Sequence, residues 1–271
     1  MSLPPPSQNQ QFCNVSALDA GSARAPLAWI LEGIPDDVKI TLPALAFLLR
    51  HSTKADAFLL DLGIRKDWQA LPPGLMSRIT DTMQFEIFVE QDAVEALVKG
   101  GVQLSDVTHV CYSHLHFDHI GDSAPFKHSQ FVVGEPARAI VSNGYPTNPI
   151  GIVPIDLLPE GRTTFLDPAS WPALGPFPHA LDFYGDGSLY VVDAGSGHMP
   201  GHLNILARTS ADGGWIYLAG DSAHDWRIIK GEGKVGRHGI FGCAHMNVEE
   251  TEQHIARIRT LMEKKIGRAH V

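Results

Sequence analysis

The feature that most constrains this chain is a run of metal-ligand residues directly after a predicted strand. His114, His116, Asp118 and His119 form the pattern H-x-H-x-D-H. Residues 107–111 before them are apolar and β-branched, and alternate side chains of an extended segment share a face, so His114 and His116 can point to one place. Asp118 and His119 follow where the chain must turn, and can serve a second place nearby. Imidazole and carboxylate suit zinc, iron or manganese at a hydrolytic centre; the alternative is a chance cluster, which this spacing makes rare.

Length and composition indicate a globular protein with a substantial core. The chain has 271 residues, of which 44% are apolar and 19% charged, enough for one large α/β domain or two small ones. Its net charge of −9 argues against nucleic acid as a partner, since phosphates call for a basic surface. The same charge gives no attraction to anionic membranes or anionic substrates, which favours a neutral substrate.

Cysteine usage and the N-terminus favour a cytoplasmic location. Cys13, Cys111 and Cys243 are too few and too scattered for a disulfide framework. No apolar run approaches the roughly 18 residues of a membrane span, and the first residues lack the basic start and apolar core of a signal peptide.

The coarse secondary structure predicts a layered α/β domain. Residues 1–25 are rich in Pro, Gln, Asn and Ser and predict a flexible arm, so the hydrolase-like domain would cover 26–271. Residues 143–178, dense in Pro, Gly and Thr, predict a surface insertion that forms part of a pocket wall. Strands are predicted at 27–31, 42–50, 57–63, 107–111, 130–134, 189–193, 203–209 and 215–219, and helices at 92–99, 135–141 and 248–265. Because strands recur with helices in both halves, a layered α/β domain is favoured over an all-β barrel.

Two further candidate ligands stand after predicted strands. His202 follows a strand and a glycine-rich loop, and Asp221 follows a strand and a glycine. Each has a plainer alternative, since His202 can be a turn residue and Asp221 a helix cap. Their order after the opening motif favours ligation.

Together the motifs H-x-H-x-D-H, G-H-x-x-G-H and G-D resemble the metallo-β-lactamase superfamily, from about Leu42 to the C-terminal helix. Residues 61–67 and 113–119 are most similar to the N-acyl homoserine lactone lactonase branch. The resemblance implies a four-layer αβ/βα sandwich of two mixed β-sheets with outer helices and a metal pair at one edge. It also implies two divalent metal ions, with zinc as the expected metal, and a homodimer as the family's frequent assembly.

The resemblance implies a role for each candidate ligand. His114, His116 and His202 would hold the first metal, and Asp118 and His119 the second, with Asp221 bridging. His198 is interpreted as a loop residue behind the ligands. Flavo-diiron relatives have a glutamate at the position of His116, so hydrolysis is favoured over a redox role.

Two departures from the lactonase pattern bear on activity. His224 occupies the position where lactonases place a substrate-contacting tyrosine, and the family's last histidine ligand, on a strand after the final helix, has no counterpart at the usual place. Residues 266–271 correspond to one reading frame of a common sequencing adapter. We hypothesise that they are a non-native tail, that the natural chain continues after about Lys264, and that the last strand is missing here. The alternative is a genuine short terminus in which His270 is the last ligand; His245 is a third candidate, interpreted as a loop residue.

The function expected from the resemblance is opening of a lactone, as in the quorum-quenching lactonases, by a hydroxide shared between two metals. Asp118, Asp221 and His224 are the candidate catalytic residues, and the partner is a small-molecule lactone or related carbonyl compound. Phe117, Trp226 and the 143–178 insertion are candidates for lining an acyl pocket, with core packing as the alternative. Other readings remain open: a lactam or benzoxazolinone-type amide hydrolase, a thioesterase, or a non-catalytic, truncated homologue.

Overall fold

Two β-sheets packed face to face form the framework of the protein. The computed structural model describes residues 2–263 and the backbone of residues 268–270. The first sheet has the order β4-β1-β2-β3-β5-β6-β7, with β1 Cys13–Pro26, β2 Lys39–His51, β3 Ala57–Leu60, β4 Glu86–Phe88, β5 His109–Cys111, β6 Gln130–Gly134 and β7 Thr163–Leu166. The second has the order β12-β11-β10-β9-β8, with β8 Ala180–Asp182, β9 Leu189–Gly195, β10 His202–Arg208, β11 Trp215–Leu218 and β12 Arg268–His270.

Both sheets are mixed. In the first, β1, β2 and β3 pair antiparallel, and β3, β5, β6 and β7 run parallel. In the second, β8 to β11 pair antiparallel and β12 lies parallel to β11. Since β5 is a central parallel strand, the chain that leaves it emerges at the sheet edge, where ligand sites of α/β proteins gather.

Side-chain alternation along the strands sorts the core into three clusters. In β3, Phe58 and Leu60 face the second sheet, whereas Leu59 faces the outer helices. In β10, Ile205 lies between the sheets and Leu206 faces outward. Each such fully buried aliphatic side chain contributes about 1.5–3 kcal/mol relative to exposure. The three clusters therefore define a helix–sheet–sheet–helix arrangement.

Helices cover the outer face of each sheet. Over the first sheet lie α1 Pro73–Ser77, α2 Ala93–Lys99, α3 Phe117–Ile120 and α4 Ala137–Ser142; over the second lie α5 Trp226–Lys230 and α6 Val248–Glu263. Ile255, Ile258 and Leu261 form an apolar stripe that packs α6 against the second sheet. This is the predicted four-layer sandwich. None of the helices formed by the described residues has the length and apolarity needed to cross a membrane.

The N-terminal region differs from its prediction. Residues 13–25, predicted to belong to a flexible arm, form nearly all of β1, which pairs with β2 along most of its length. Its buried positions include Ala20, Ala23 and Ala25. Alanine has low strand propensity, so the segment lacks the β-branched pattern on which a strand prediction depends. The segment 27–31, predicted to be a strand, instead begins with a 3-10 helix, Leu27–Trp29.

The C-terminal region also differs. The last strand, expected to be missing, is present as β12, in which His270 pairs with Leu218 of β11. The His270 side chain and residues 264–267 and 271 lie outside the described part, so only the backbone of 268–270 is described for the hypothesised tail. The 143–178 segment adds β7 to the first sheet, and its Ile152 contributes to the wall of a cleft described below.

Candidate metal centre

The candidate centre lies where three segments leave the sheets. His114 and His116 follow β5, His198 lies in the loop between β9 and β10, and Asp221 lies in a 3-10 turn directly after β11. Asp118 and His119 lie in α3, the short helix that ends the opening motif. The structure thus gathers residues that are distant in sequence at one edge of the sandwich.

Three imidazole nitrogens meet at the first group. His114 Nε2 lies 2.9 Å from His116 Nδ1, and His198 Nε2 lies 3.0 Å and 2.9 Å from those two atoms. Asp221 Oδ2 lies 3.4 Å from His198 Nε2 and 3.7 Å from His114 Nε2. These four residues offer ligand atoms close enough together to hold one metal ion.

The structure differs from the sequence interpretation on which histidine after β9 belongs to this group. His198, interpreted as a loop residue behind the ligands, contributes the third imidazole. His202, assigned as the ligand, lies outside the group, and its Nε2 lies 3.3 Å from Asn204 Nδ2. His202 is the first residue of β10, so its position is set by strand pairing. His198 lies in the preceding loop, which can reach the cluster.

Glycines determine the path of that loop. Gly195 and Gly201 have φ of +78° and +81°, a left-handed conformation that favours glycine. A Cβ on Gly197 would lie 2.6 Å from the backbone nitrogen of Thr251, so only glycine allows this close approach to α6. The spacing G-H-x-x-G-H therefore provides a turn that carries its first histidine into the cluster.

His202 has a different position in the same neighbourhood. A Cβ on Gly220 would lie 2.8 Å from His202 Nε2, so the imidazole packs where a side chain at 220 would stand. Asn204 beside it donates a 2.6 Å hydrogen bond to the Ala219 carbonyl and accepts one from Ser222 Oγ at 3.0 Å. His202 and Asn204 thus pack against the turn that presents Asp221.

A second group shares Asp221. Its Oδ1 lies 3.1 Å from His119 Nε2, and Asp118 Oδ2 lies 4.0 Å from the same nitrogen. Asp118, His119 and Asp221 form a second set that could hold a metal ion. The two carboxylate oxygens of Asp221 face different groups, an arrangement compatible with the bridging role that the resemblance implies.

Asp61 fixes the orientation of the motif from behind, a role that the sequence analysis missed. It accepts hydrogen bonds from Ser113 N at 2.7 Å and Ser113 Oγ at 2.8 Å, and its Oδ2 lies 2.8 Å from His119 Nδ1. Its φ is +59°, a conformation in which aspartate is enriched among non-glycine residues. An aspartate at a strand end followed by Leu62 and a left-handed Gly63 is the sequence signal that marks this position.

These contacts also select which ring nitrogen faces the cluster. His119 Nδ1 donates to Asp61, which directs Nε2 toward Asp118 and Asp221. Ser113 Oγ donates to Asp61 and lies 3.0 Å from His114 Nδ1, from which it accepts. Partners behind ligand histidines commonly set the tautomer in this way. Ser113 is fully buried in this role, so its hydroxyl is not presented as a nucleophile.

The donor set fits a divalent cation. Burial lowers the pKa of His116 to about 3 and holds the pKa values of His114 and His198 well below the ordinary histidine value. The three rings are therefore neutral at pH 7, so the nitrogens that meet here can offer lone pairs and do not repel a cation. A cation at their centre would satisfy all three, and imidazole with carboxylate suits zinc, iron or manganese.

Charge is distributed unevenly across the second group. Burial alone would lower the pKa of His119, but the charges of Asp221 and Asp61 raise it well above the ordinary value. Burial would likewise raise the pKa of Asp221, yet the charges of His119 and His224 hold it well below its usual range. Burial raises the pKa of Asp118. The carboxylate of Asp221 is therefore the permanent negative charge between the two groups.

Two more histidines border the cluster. His224 Nε2 lies 3.0 Å from Asp221 Oδ2, and His245 Nδ1 lies 3.3 Å from His198 Nδ1. The far nitrogens of both rings, His224 Nδ1 and His245 Nε2, are buried without a hydrogen-bond partner among the described residues. His245 therefore stands behind His198, as Asp61 stands behind His119.

Two clefts open on the centre. The first, here called the aromatic cleft, has a volume of about 470 Å³, and Trp29, Phe85 and Phe117 form one wall beside His116 and His224. The second, here called the strand cleft, has a volume of about 340 Å³ and runs along β2 to Asp118, His119 and His224, with Trp226 at its edge. Phe117 and Trp226, both candidates for a pocket wall, do line clefts.

Comparison with known proteins identifies the family. The family model of the metallo-beta-lactamase superfamily matches residues 41–241, most of the chain and all of the cluster. The chain belongs to the metallo-β-lactamase superfamily. The matched segment contains both groups of candidate ligands and His224; His245 lies just beyond it.

The curated relatives that this chain matches are longer proteins. The chain is 31% identical over 250 residues to the cytochrome P450 monooxygenase mpaDE of Penicillium brevicompactum, covering 85% of this chain and 27% of the relative. It is 33% identical over 236 residues to the gamma-lactamase FDB1 of Fusarium pseudograminearum, covering 82% and 56%. The chain therefore spans about a quarter of the first and about half of the second.

Among solved structures, an N-acyl homoserine lactone hydrolase with the product N-hexanoyl-L-homoserine bound at its catalytic metal centre superposes with a TM-score of 0.72. The match covers 100% of this chain and 93% of that one at 16% identity. This likeness establishes the same fold.

Proposed function

We propose that this chain is a metal-dependent hydrolase that opens a cyclic ester, a lactone, at a centre of two metal ions, with zinc as the expected metal. The observation that carries the proposal is the pair of ligand groups joined by Asp221 beside two clefts. Two bound divalent ions would lower the pKa of a water molecule and polarise a carbonyl group. His114, His116, His198 and Asp221 would hold the first ion, and Asp118, His119 and Asp221 the second.

The residues around the centre have separate tasks in this proposal. Trp29, Phe85 and Phe117 pack against the apolar part of the substrate and exclude water from it. His224 lines both clefts and lies 3.0 Å from Asp221, so its imidazole contacts the ring that is opened. Asp61 holds the proton on His119 Nδ1 and keeps Nε2 directed at the centre.

A γ-lactam is the second candidate substrate. The specific observation in its favour is the 33% identity to a gamma-lactamase over 82% of this chain. His224 supports it as well, because the imidazole replaces the tyrosine that the lactonase resemblance implies. Hydrolysis of an ester and of an amide both need a polarised carbonyl group and an activated water molecule. The two reactions differ in the leaving group, which is an alkoxide or an amine.

The deciding experiment is hydrolysis of a matched substrate panel by the metal-loaded chain. N-acyl homoserine lactones and aryl-substituted γ-butyrolactones are compared with γ-lactams, benzoxazolinone and acyl thioesters, with metal content measured in parallel. We expect opening of lactones, loss of activity on chelation, and recovery when zinc is restored. Lactones left intact while a lactam opens would assign the lactamase function instead. If the chain retains metal but hydrolyses none of these substrates, the remaining interpretation is a non-catalytic binding protein.

A further inference from the structure

One feature of the aromatic cleft is not used by the ring-opening chemistry: a single arginine on an otherwise apolar wall. Besides the histidines and carboxylates of the centre, the cleft is lined by apolar residues and Arg78. The apolar part consists of Ala23, Trp29, Leu42, Leu75, Ile79, Met83, Phe85, Phe117, Ile152, Met199, Ala244 and Met246, with Cys243 beside them. Of the side chains described around this cleft, Arg78 is the one permanent cation.

Arg78 stands at the start of a π-helix, Arg78–Thr82, that continues from α1. Such segments are rare and occur frequently at functional sites. Two buried residues that border the cleft, Leu75 and Ile79, lie on either side of Arg78 in sequence and anchor this segment in the core. The arginine itself is exposed, so a segment anchored by buried neighbours presents a charged side chain to the cleft.

The guanidinium of Arg78 has no partner within residues 2–263. The structure records neither a hydrogen bond nor an ion pair for it, whereas Arg65, Arg138 and Arg227 are each paired with a neighbouring carboxylate. It is near the centre, because its charge adds a small contribution to the low pKa of His116, after burial and the charges of His119 and His224. An unpaired guanidinium offers five donors and suits a carboxylate in bidentate geometry.

Trp29 provides a second unused donor in the same cleft. Its indole Nε1 is buried and has no hydrogen-bond partner in the described part of the chain. The indole can only donate, as can the guanidinium. Both groups lack acceptors, and the exposed guanidinium can reach a ligand that brings hydrogen-bond acceptors into the apolar cleft.

We propose that Arg78 is a specificity residue, and that the aromatic cleft selects cyclic substrates whose apolar portion carries a carboxylate. The inference rests on the proposed ring-opening function and names the substrate class for it. The net charge of −9 argues against long-range attraction of anions. At physiological ionic strength, however, charges more than about 8 Å away are largely screened, so local charges decide selection within the cleft, and Arg78 is the permanent cation among them.

The experiment uses two lactones that differ in one charge. They are γ-butyrolactone carrying a 4-carboxybenzyl group at the α carbon, and the methyl ester of the same compound. We expect the metal-loaded chain to prefer the carboxylate in kcat/KM. Arg78→Met should reduce that preference by about 10- to 100-fold, the range of a hydrogen bond to a charged group, and leave the methyl ester within about twofold. Arg78→Lys should retain part of the preference.

A matched control and a binding measurement complete the test. Arg50, an exposed arginine of β2 that lines neither cleft, is changed to Met as the control and should leave the preference unchanged. The cyclopentanone analogues of both compounds, which have no bond to cleave, are titrated calorimetrically into wild type and Arg78→Met. The carboxylate analogue should bind more tightly, and only when Arg78 is present.

The outcomes separate this inference from the proposed function. If wild type opens both lactones equally, or Arg78→Met leaves the preference intact, the role of Arg78 is overturned and ring opening stands. If neither lactone opens but the carboxylate analogue binds in an Arg78-dependent way, the anion site stands and the proposed reaction fails. Equal binding of both analogues would overturn the anion site.

Discussion

His198 Nε2 lies 2.9 Å from His116 Nδ1, although the two residues are separated by 82 positions in sequence. This contact joins the loop between β9 and β10 to the segment after β5, and so connects the two sheets at the centre. It also distinguishes His198 from His202, whose ring lies behind the turn that bears Asp221.

Replacement of the two histidines of the G-H-x-x-G-H motif should have different effects. His198→Ala removes a candidate ligand and should weaken binding of the first metal by more than about 100-fold, since loss of a partner behind a ligand already costs 10–100-fold. His202→Ala should retain metal and lower the free energy of unfolding, because it opens a buried space beside Gly220. Zinc titration and denaturant unfolding of both variants measure the two effects. If His202→Ala loses metal and His198→Ala does not, then His202 is the ligand, as the sequence analysis assigned it.

Asp61→Asn should weaken the second metal site by about 10- to 100-fold while the chain stays folded. The amide can still accept from Ser113, but it no longer provides the carboxylate that orients His119. Asp56→Asn is the matched control, because Asp56 Oδ1 lies 3.2 Å from His109 Nδ1 away from the candidate ligands. Competition against a chromophoric chelator gives both affinities. Equal affinity in the two variants would remove Asp61 from the site.

His224→Phe should retain metal and reduce kcat/KM by about 100-fold, the scale of a positioned acid–base or hydrogen-bonding group. The phenyl ring keeps the contact with Trp29, whose ring centroid lies 5.5 Å from that of His224, and removes the nitrogen near Asp221. His128→Phe, at an exposed position, is the control. Metal analysis beside the kinetics is essential. If His224→Phe loses metal, then His224 supports Asp221 and has no direct part in ring opening.

Acid should destabilise the fold partly through His254. Its Nε2 lies 2.8 Å from Asn204 Oδ1, and burial lowers its pKa to about 3 from the ordinary histidine value of 6.5. The folded state therefore holds the ring neutral. Its contribution to stability is complete above pH 6.5 and is lost as the pH falls from 6.5 toward 3, by about 1.4 kcal/mol per pH unit for one proton.

The test of this pH dependence is denaturant unfolding of wild type and His254→Gln between pH 7.5 and pH 5. Glutamine can still donate to Asn204 but does not titrate, so the variant should lose less stability than wild type on acidification. Other buried histidines affect both proteins alike, and the difference between the curves isolates His254. Parallel curves would show that His254 does not titrate as described.

Local spacing allowed much of the centre to be predicted from sequence. The pattern around His114 places ligand atoms through the geometry of a strand end and the turn after it, which short segments determine by themselves. Asp221 followed from the same reasoning, since it ends a strongly apolar strand. The layered fold followed from the alternation of apolar residues, and the second sheet and α6 agree with it.

Tertiary structure decided what spacing leaves open. Whether His198 or His202 reaches the cluster depends on left-handed glycines and on the packing of a loop against α6, and neither leaves a periodic pattern in the sequence. Asp61 directly follows β3, and Arg78 lies in a helix elsewhere in the chain. The sequence by itself determined the donor chemistry, because ligand type is a property of individual residues. The third imidazole, the partners behind the ligands and the cation in the cleft depend on distances between segments that only the folded chain brings together.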